Sequence, residues 1–383
     1  MSLFIEYHLI QNFAPSNLNR DDTGAPKDAI FGGHRRARVS SQCFKRAIRL
    51  KAAEMKVIPE ASGSIRTKKL KDLLTARLAK LGRTDATEAG ARIEAALASA
   101  GLKLKDDGRT EYLLFLGQGE IDAFAELIHA KWDELTPLPA SEAKKSKKEA
   151  KASAPPEVGK QAKAILDGKK AVDVALFGRM LADLPEVNQD AACQVAHAIS
   201  THRVDREFDY FTAVDDKGDP DETGAGMIGQ VEFNSATFYR YAVLDAHKLV
   251  SNLQGDRELA LTGIAAFTQA MARAIPSGKQ NTFAAHNPPR FVGVVLRSSS
   301  PFNLANAFEK PIWARQDREL TAQSVEKLAE EDTAIAAAFG DGGDRWAYVD
   351  LTKAWPTIKG DRYESLDDLA GWVVEQVRPA LGD

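Results

Sequence analysis

The stretch GGHRRARVSSQCFKRAIRLK, residues 32–51, contains seven Lys and Arg side chains and no acidic one, in a 383-residue chain whose formal net charge is −3. Ser40 and Gln42 add polar donors at a predicted helix start, where free backbone N–H groups favour anions. Lys45 and Arg49 are four residues apart, so a helix places them on one side. The pattern favours binding to a phosphate backbone. The alternative is a solvated basic helix face without a ligand.

Two glycines open this stretch. Gly32 and Gly33 would allow the backbone to approach a phosphate closely, because they lack a side chain. The following helix is predicted to have Ser40 or Ser41 as its N-cap. Its inward side is predicted to consist of Phe44, Ala47, Ile48 and Ala52.

Two other motifs match ligand-binding sequences only in part. GAGMIG, Gly224–Gly229, fits the dinucleotide fingerprint G-x-G-x-x-G, but it follows an acidic loop and precedes a strand, whereas the fingerprint must open a helix. Asp215, Asp219 and Asp221 have the spacing of a calcium loop without the glycine that an EF-hand requires. We therefore predict neither a cofactor nor a metal ion at these motifs.

The sequence also gives only weak evidence for a metal site or for acid–base catalysis. Cys193, His197 and His202 could begin a zinc site, but no second pair with ligand spacing completes it, which favours a buried thiol and a surface imidazole. The adjacent Asp21 and Asp22 are typical of turn and capping acids, although a loop could bring either to a metal. His34 could act as a general acid, yet a single histidine is weak evidence for catalysis.

Hydrophobic periodicity predicts the elements that must position these residues. Leu3–Ile10 is predicted to be a strand, and the polar, glycine-containing stretch from Asn12 to Val39 a loop. Helical periodicity covers about 66 to 132, as in Lys69–Leu81 and Glu120–Trp132, and resumes near Val172–Met180 and Asp190–Ser200. Further predictions are strands at Phe208–Val214, Val231–Leu244 and Arg290–Leu296 and a helix at Arg257–Ile275.

Without its insertions, the order is strand, helix, strand, strand, helix, strand. This is the ferredoxin-like order that RNA-recognition domains also use, within an α+β fold class. The segment ASEAKKSKKEAK, Ala140–Lys151, has almost nothing to bury and is predicted to be a mobile linker. Its Lys144–Lys151 run is interpreted as a solvated linker, with contact to DNA as the alternative.

Composition excludes several classes of protein. Hydrophobic residues make up 44% of the chain, which is enough for a core, and no apolar run approaches a membrane span or a signal peptide. Cys43 and Cys193 are too few for a disulfide framework, so we expect thiols in a reducing cytoplasm. A sequence pI near 6.2 argues against nucleic-acid binding by the whole surface. The basic charge must therefore act locally.

Long segments of the chain resemble one family. SNLNRDDTGAPKDAIFGGHRRARVSSQCFKRAIR resembles the N-terminal signature of the CasC family, the repeated backbone subunit of the type I-E CRISPR complex Cascade. VDVALFGRM, AHAISTHRVDREFDYFTAVDD, QVEFNSATFYRYA, GKQNTFAAHNP and NLANAFEKP follow in the order of that family. The resemblance is weakest over about 57 to 165 and after about 312.

The resemblance implies an RRM-like palm with an inserted helical fingers domain and a thumb hairpin. The implied division is palm over 1–56, fingers over 57–200 with the mobile linker near 140–160, palm over 201–210, thumb loop over 211–228, and palm with the C-terminal region over 229–383. Several copies would stack head to tail along one CRISPR RNA, whose bases stay open to the target DNA strand. Other Cascade subunits would end the filament.

The resemblance also implies which residues contact the RNA. The palm positions that match the family's RNA-backbone contacts are Arg20, Lys27, Ser40, Gln42, Lys45 and Arg49. The thumb positions that match residues beside a displaced base are Met180, Phe211 and Ile228. The implied protein is non-catalytic and needs no cofactor or metal.

Two other functions stay open. Related type III backbone subunits cut target RNA with a loop aspartate, for which Asp21 or Asp22 would be the candidate in a metal-dependent endoribonuclease. A generic single-strand-binding protein would load RNA without a guide or partner subunits.

Overall fold

The chain divides into two compact units. The computed structural model describes residues 3–135, 156–166, 171–181, 184–212 and 228–382. The first unit comprises residues 1–55, 194–246 and 264–383, and the second residues 56–193 and 247–263. Most of the linker predicted near 140–160, including Ala140–Lys151, and most of the predicted thumb loop lie outside the described residues, whereas Pro156–Leu166 form a helix.

Twelve strands and eleven helices are defined within the described ranges. The strands are β1 (Phe4–Ser16), β2 (Asp28–Phe31), β3 (His34–Val39), β4 (Ser64–Thr67), β5 (Leu114–Gly117), β6 (Cys193–Val195), β7 (Ala198–Ser200), β8 (Glu207–Thr212), β9 (Ile228–Asp245), β10 (Phe291–Arg297), β11 (Arg345–Asp350) and β12 (Asp361–Arg362). The helices are α1 (Ser41–Met55), α2 (Leu70–Lys80), α3 (Ala86–Ala100), α4 (Gln118–Ala130), α5 (Pro156–Leu166), α6 (Val172–Phe177), α7 (Ala246–Asn252), α8 (Arg257–Arg273), α9 (Gln280–Phe283), α10 (Leu320–Phe339) and α11 (Leu366–Val377).

A large sheet organises the first unit. Its strand order is β12-β11-β10-β1-β9-β7-β3-β2, and β6 and β8 pair with β9 outside this order. The pairs from β11 to β2 are antiparallel where their register is described, and β11 pairs with β12 in parallel. The fold is thus a mixed α and β fold, as predicted, with a mostly antiparallel sheet.

The central strand β1 is covered on both faces. Tyr7 points to α8, where its hydroxyl lies 2.9 Å from Thr268 Oγ1 and its ring meets Phe267 edge-on at 5.1 Å. His8 points to the opposite face, where its ring lies 5.1 Å from that of Trp346. Because successive strand residues alternate between faces, the unbroken burial of residues 5–11 in β1 requires a packed layer on each side.

Helix α1 packs on the sheet through its predicted apolar side. Phe44, Ala47, Ile48 and Ala52 are buried, which confirms the predicted inward face. The guanidinium of Arg240 on β9 lies 4.1 Å from the centre of the Phe44 ring. This packing leaves the polar residues of α1 on its outer side.

The loop predicted from Asn12 to Val39 is wrong in part. β1 continues to Ser16, and residues 28–39 form the antiparallel hairpin of β2 and β3. Gly32 and Gly33 have φ angles of 58° and 77°, which suit the two-residue turn that matches strand twist. The basic side chains of β3 concealed the strand pattern.

The helix predicted near Asp190–Ser200 is also wrong. This segment contains β6 and β7, and Ile199 and Ser200 pair with Tyr239 and Phe238 of β9. Backbone pairing with a distant strand therefore overrides the local helical pattern. By contrast, the strands around the thumb loop, the long helix α8 and the strand β10 are confirmed.

The second unit has its own core. Leu70, Leu74 and Leu78 recur every four residues along α2 and are fully buried with side chains from α3, α4 and α5. The predicted helical periodicity at Lys69–Leu81 and Glu120–Trp132 is thereby confirmed. Across both units, no helix of the described segments has the length and apolar character to cross a membrane.

Candidate nucleic-acid interface

The N-terminus of α1 is fixed by a cap. Ser40 Oγ accepts a hydrogen bond of 3.3 Å from the Cys43 N–H, so Ser40 rather than Ser41 is the N-cap. The Ser40 N–H donates to Asn19 Oδ1 at 2.9 Å. Ser40 is only 6% exposed, so its main contribution is to tie the preceding loop to the start of the helix.

The predicted contact residues of α1 lie beyond this cap. Gln42 is exposed, and Lys45 and Arg49 are half-buried. Their spacing of three and four residues places them on one side of the helix, away from the buried Phe44 side. Arg46 is exposed on the neighbouring side and has no hydrogen-bond or ion-pair partner among the described residues.

The loop before β2 brings two more cations to this end of α1. Arg20 is exposed, and Lys27 is half-buried with its N–H donating to the Asn19 carbonyl at 2.9 Å. Lys27 lies close enough to Cys43 to influence its thiol, whose pKa burial nonetheless raises. The Asn19–Ser40 bond thus joins the loop cations to the basic side of α1.

Asp21 holds this loop together. Its Oδ1 accepts hydrogen bonds from the Thr23 hydroxyl at 2.7 Å, the Thr23 N–H at 2.9 Å and the Ala25 N–H at 3.0 Å. The Thr23 hydroxyl is the main cause that lowers the pKa of Asp21. The interpretation of Asp21 as a turn and capping acid is confirmed.

The basic stretch does not form one surface. Arg36 is completely buried, donates to the carbonyls of Ser200, Phe308 and Glu309, and has a pKa that burial lowers. Arg35 pairs with Asp28. The stretch therefore divides its charge between internal packing and the exposed side of α1.

Other basic residues of the stretch also have protein partners. Arg38 Nε donates to the Asp28 carbonyl at 3.0 Å, and Lys51 pairs with Glu54 at 2.8 Å. Gly32 also differs from the expectation of a phosphate approach, because a Cβ there would lie 1.8 Å from the Glu309 carbonyl oxygen. Its close backbone contact is with the protein itself.

A groove of about 680 Å³ runs along the Cys43 side of α1. Its walls come from α1, the loop around Arg20 and the residues that follow α8. Its cationic lining residues are Arg20, Arg46, Lys51, Arg273 and the ionisable His286, and its acidic ones are Asp21 and Glu54. Positive charge thus extends from the side of α1 that carries Lys45 and Arg49 into a concave surface.

The strands β8 and β9 form the base of the predicted thumb. Thr212 pairs with Ile228 and Phe211 with Gly229, while residues 213–227 lie outside the described residues. Phe211 is 42% exposed, and its ring covers Gly229, where a Cβ would lie 2.2 Å from Phe211 Cζ. Ile228 is placed in β9 by its backbone alone.

Met180 lies in a turn of the second unit that a buried ion pair fixes. Arg179 Nη1 pairs with Glu120 Oε1 at 2.7 Å, and both side chains are 1% exposed. The Leu181 N–H donates to Asn188 Oδ1 at 2.6 Å. Met180 itself is 80% exposed, so the turn displays an apolar side chain to solvent.

Among the residues that the structure describes, the candidate metal ligands do not form a metal centre. His202 Nε2 accepts from the Thr237 N–H at 3.1 Å and its Nδ1 donates to the Arg203 carbonyl at 2.7 Å, so both ring nitrogens are occupied. Burial lowers the pKa of His202. His197 contacts Arg38, and Cys193 is buried. Asp215, Asp219, Asp221 and most of Gly224–Gly229 lie outside the described residues.

One supporting residue was missed by the sequence analysis. Arg240 is buried between Phe44 and α8, where it donates to Gln11 Oε1 and the Met271 carbonyl, each at 2.5 Å. Burial lowers its pKa to about 9. Arg240 contacts α1 through Phe44, β1 through Gln11 and α8 through Met271. It therefore positions α1, the helix that carries Lys45. The sequence signal that could have indicated its role was an arginine at an inward position of the predicted strand Val231–Leu244.

These features define a class of protein in which a mostly antiparallel sheet supports a helix with a cationic outer side. The chain belongs to the family described as CT1975-like protein, whose family model matches residues 5–372. With the structural similarities below, this match confirms the resemblance to CasC-like Cascade subunits.

Two solved structures resemble the chain over almost its whole length. A chain of a "CRISPR RNA-guided surveillance complex, pre-nicking" is 32% identical, with a TM-score of 0.84, and 97% of this chain and 99% of that chain are covered. A chain of a "CRISPR RNA-guided surveillance complex" is 28% identical, with a TM-score of 0.74 and the same coverage. A comparison with curated proteins found no match.

Proposed function

We propose that the protein is a CRISPR RNA-binding backbone subunit of a Cascade surveillance complex. The observation that carries this proposal is the cationic side of α1, joined through Asn19 to the loop that bears Arg20 and Lys27. Such a surface suits a phosphate backbone, which a guide-binding protein must hold whatever the guide sequence. The similarity to chains of RNA-guided surveillance complexes supports the same function.

The proposed palm is RRM-like. The strand order β10-β1-β9-β7, with α1 between β1 and β7 in the chain and α8 between β9 and β10, supports this assignment, because a ferredoxin-like sheet orders its strands 4-1-3-2. We assign the palm to the first unit and the fingers to the second. The loop over 211–228 at the tip of the β8–β9 hairpin is the proposed thumb, with Phe211 and Ile228 at its two ends.

Within the palm, we assign the RNA backbone to Arg20, Lys27, Gln42, Lys45 and Arg49. Ser40 is assigned to the same surface, where it acts through the cap that fixes the helix start. Met180 is retained as a proposed base-contacting residue because it is an exposed apolar side chain on a fixed turn.

The proposed assembly is a head-to-tail filament of copies of this chain along one guide. A heterologous interface that does not close generates such a filament, and other Cascade subunits would end it. The guide bases would then pair with a target DNA strand, while the protein holds phosphates and sugars.

We further propose that the subunit does not cut RNA. The Oδ1 atom of Asp21 is already engaged by three donors of its own loop, which supports a structural role for this acid. Incubation of the purified assembly with complementary RNA and magnesium tests the proposal. Intact RNA is expected, whereas regularly spaced cuts that disappear in Asp21→Asn or Asp22→Asn would establish the endoribonuclease.

Guide binding is tested by purifying the complex from cells that express a CRISPR array. A co-purifying RNA of uniform length is expected, and its yield should fall in Lys45→Ala/Arg49→Ala. A mixture of cellular RNAs of all lengths would instead establish a generic single-strand-binding protein.

A further inference from the structure

A second cavity lies in the first unit, at the end of the sheet formed by β11 and β12. Its volume is about 510 Å³, within the range of sites that hold small organic ligands. Residues of α10, α11 and the segment before β12 complete its walls. It is lined by none of the residues that line the groove beside α1.

The lining of this cavity is acidic. Four aspartates and two basic residues contribute, namely Asp332, Asp341, Asp344, Asp361, Arg345 and Lys359. Both bases are engaged, since Lys359 Nζ lies 2.5 Å from Asp332 Oδ2 and Arg345 donates to Gln376. The exposed Asp341 and Asp361 at the rim have no ion-pair partner among the described residues.

Beneath the cavity, Arg297 holds a buried acidic cluster together. Its Nε lies 2.6 Å from Glu6 Oε1, and its terminal nitrogens meet Asp332 at 3.3 Å and Asp344. One guanidinium therefore serves three carboxylates. Two further basic groups border the cluster: Lys359 Nζ lies 2.5 Å from Asp332 Oδ2, and the buried His8 Nε2 lies 3.4 Å from Glu6 Oε2.

One carboxylate oxygen of the buried Asp344 has no hydrogen-bond partner. Its side chain is only 7% exposed, and its Oδ1 has no hydrogen-bond partner although Oδ2 meets Arg297. Buried polar atoms are normally paired, so an orphaned carboxylate oxygen beside a cavity indicates a missing donor. Burial also raises the pKa of Asp344 to about 6, although the neighbouring Arg297 acts in the opposite direction.

The apolar side chains of the cavity indicate which kind of cation would fit beside the aspartates. Trp346 and Trp372 contribute aromatic surface, and Ile358, which is 93% exposed, stands at the rim. A guanidinium donates through a planar fork to carboxylates and also stacks on aromatic faces, which an ammonium does less well. An apolar stem behind it would cover Ile358.

We propose that this cavity binds a guanidinium group on an aliphatic stem, with Asp344, Asp341 and Asp361 as acceptors. The group is either the arginine side chain of a protein or a free guanidinium compound. The proposal is independent of guide binding by α1, because the two surfaces share no residue.

Calorimetry on the full-length protein tests the proposal with three probes: N-acetyl-arginine-N-methylamide, its lysine counterpart and agmatine. The arginine probe should bind more tightly than the lysine probe, and binding should weaken by about fivefold in Asp341→Asn/Asp361→Asn, as expected for two rim charges. These rim aspartates are exposed, so the variant should fold normally. The control Asp317→Asn/Glu330→Gln removes the same charge outside the cavity and should bind like the wild type.

The comparison of the arginine probe with agmatine distinguishes a protein arginine from a free guanidinium compound. A stronger signal from the acetylated amide than from agmatine assigns the cavity to a protein arginine, and the reverse order assigns it to a free guanidinium compound. The proposal is overturned if no probe binds at millimolar concentration, if lysine equals arginine, or if the rim variant and the control behave alike. Guide loading is measured on the same samples and should not change.

Discussion

Removal of the two basic side chains on the outer side of α1 should change how RNA binding depends on salt. In Lys45→Ala/Arg49→Ala, two proposed phosphate contacts are lost while the buried side of the helix is untouched. Each lost contact lowers the slope of log K against log salt by about 0.7 for a single strand, so the slope should fall by about 1.4. Over a fourfold rise in salt, the variant should therefore lose about sevenfold less affinity than the wild type.

The assay is fluorescence anisotropy with a labelled single-stranded RNA between 50 and 200 mM salt. Arg318→Ala/Lys327→Ala is a matched control, because it removes the same charge from surface ion pairs on and next to α10. The control should retain the wild-type slope. An unchanged slope in the α1 variant, with weaker binding or without it, would refute the assignment of the palm surface.

Three further perturbations test other parts of the account. Replacing Phe211 and Ile228 with Ser should preserve folding but blur a periodic pattern of hyper-reactive nucleotides in the loaded guide, because stacking worth about 1–3 kcal/mol per base is lost; a uniform wild-type pattern would remove the thumb assignment. Burial raises the pKa of Asp344 from its ordinary value of 3.8 to about 6 in the folded state. The folded state therefore binds this proton more tightly than the unfolded state does, and the free energy of unfolding falls by about 3 kcal/mol as the pH rises between these two values. Urea unfolding from pH 4 to 7 should show this decrease in the free energy of unfolding in the wild type and a smaller decrease in Asp344→Asn. The same pH dependence in both proteins would contradict the prediction. Deletion of Ala143–Ala152, which has no large apolar residue, should leave guide loading nearly intact, and loss of folding would show that the segment is structural.

Local sequence pattern was sufficient for the elements that rely on their own side chains. The apolar spacing of α1 and its Ser cap predicted the helix and its buried side, and both are confirmed. The alternation in Phe208–Val214 and Val231–Leu244 likewise predicted β8 and β9. In α1 the buried side repeats within the helix itself, whereas β8 is exposed along its whole length, so there the residue types rather than burial indicated the strand.

The failures occur where distant backbone supplies the partner. Arg36 belongs to the most basic stretch of the chain, yet it is buried because carbonyls at Ser200, Phe308 and Glu309 accept its hydrogen bonds. Arg240 is buried for the same reason, beneath Phe44. For Arg36, no local signal distinguishes a buried arginine from an exposed one, whereas the inward strand position of Arg240 was a signal.

Native mass spectrometry of the complex purified from cells tests the central claim most directly. The proposed function predicts several copies of this chain bound to one RNA of defined length, together with other Cascade subunits. The same preparation of Lys45→Ala/Arg49→Ala should contain less RNA per copy. A monomer without RNA, or copies assembled with no nucleic acid at all, would contradict the account.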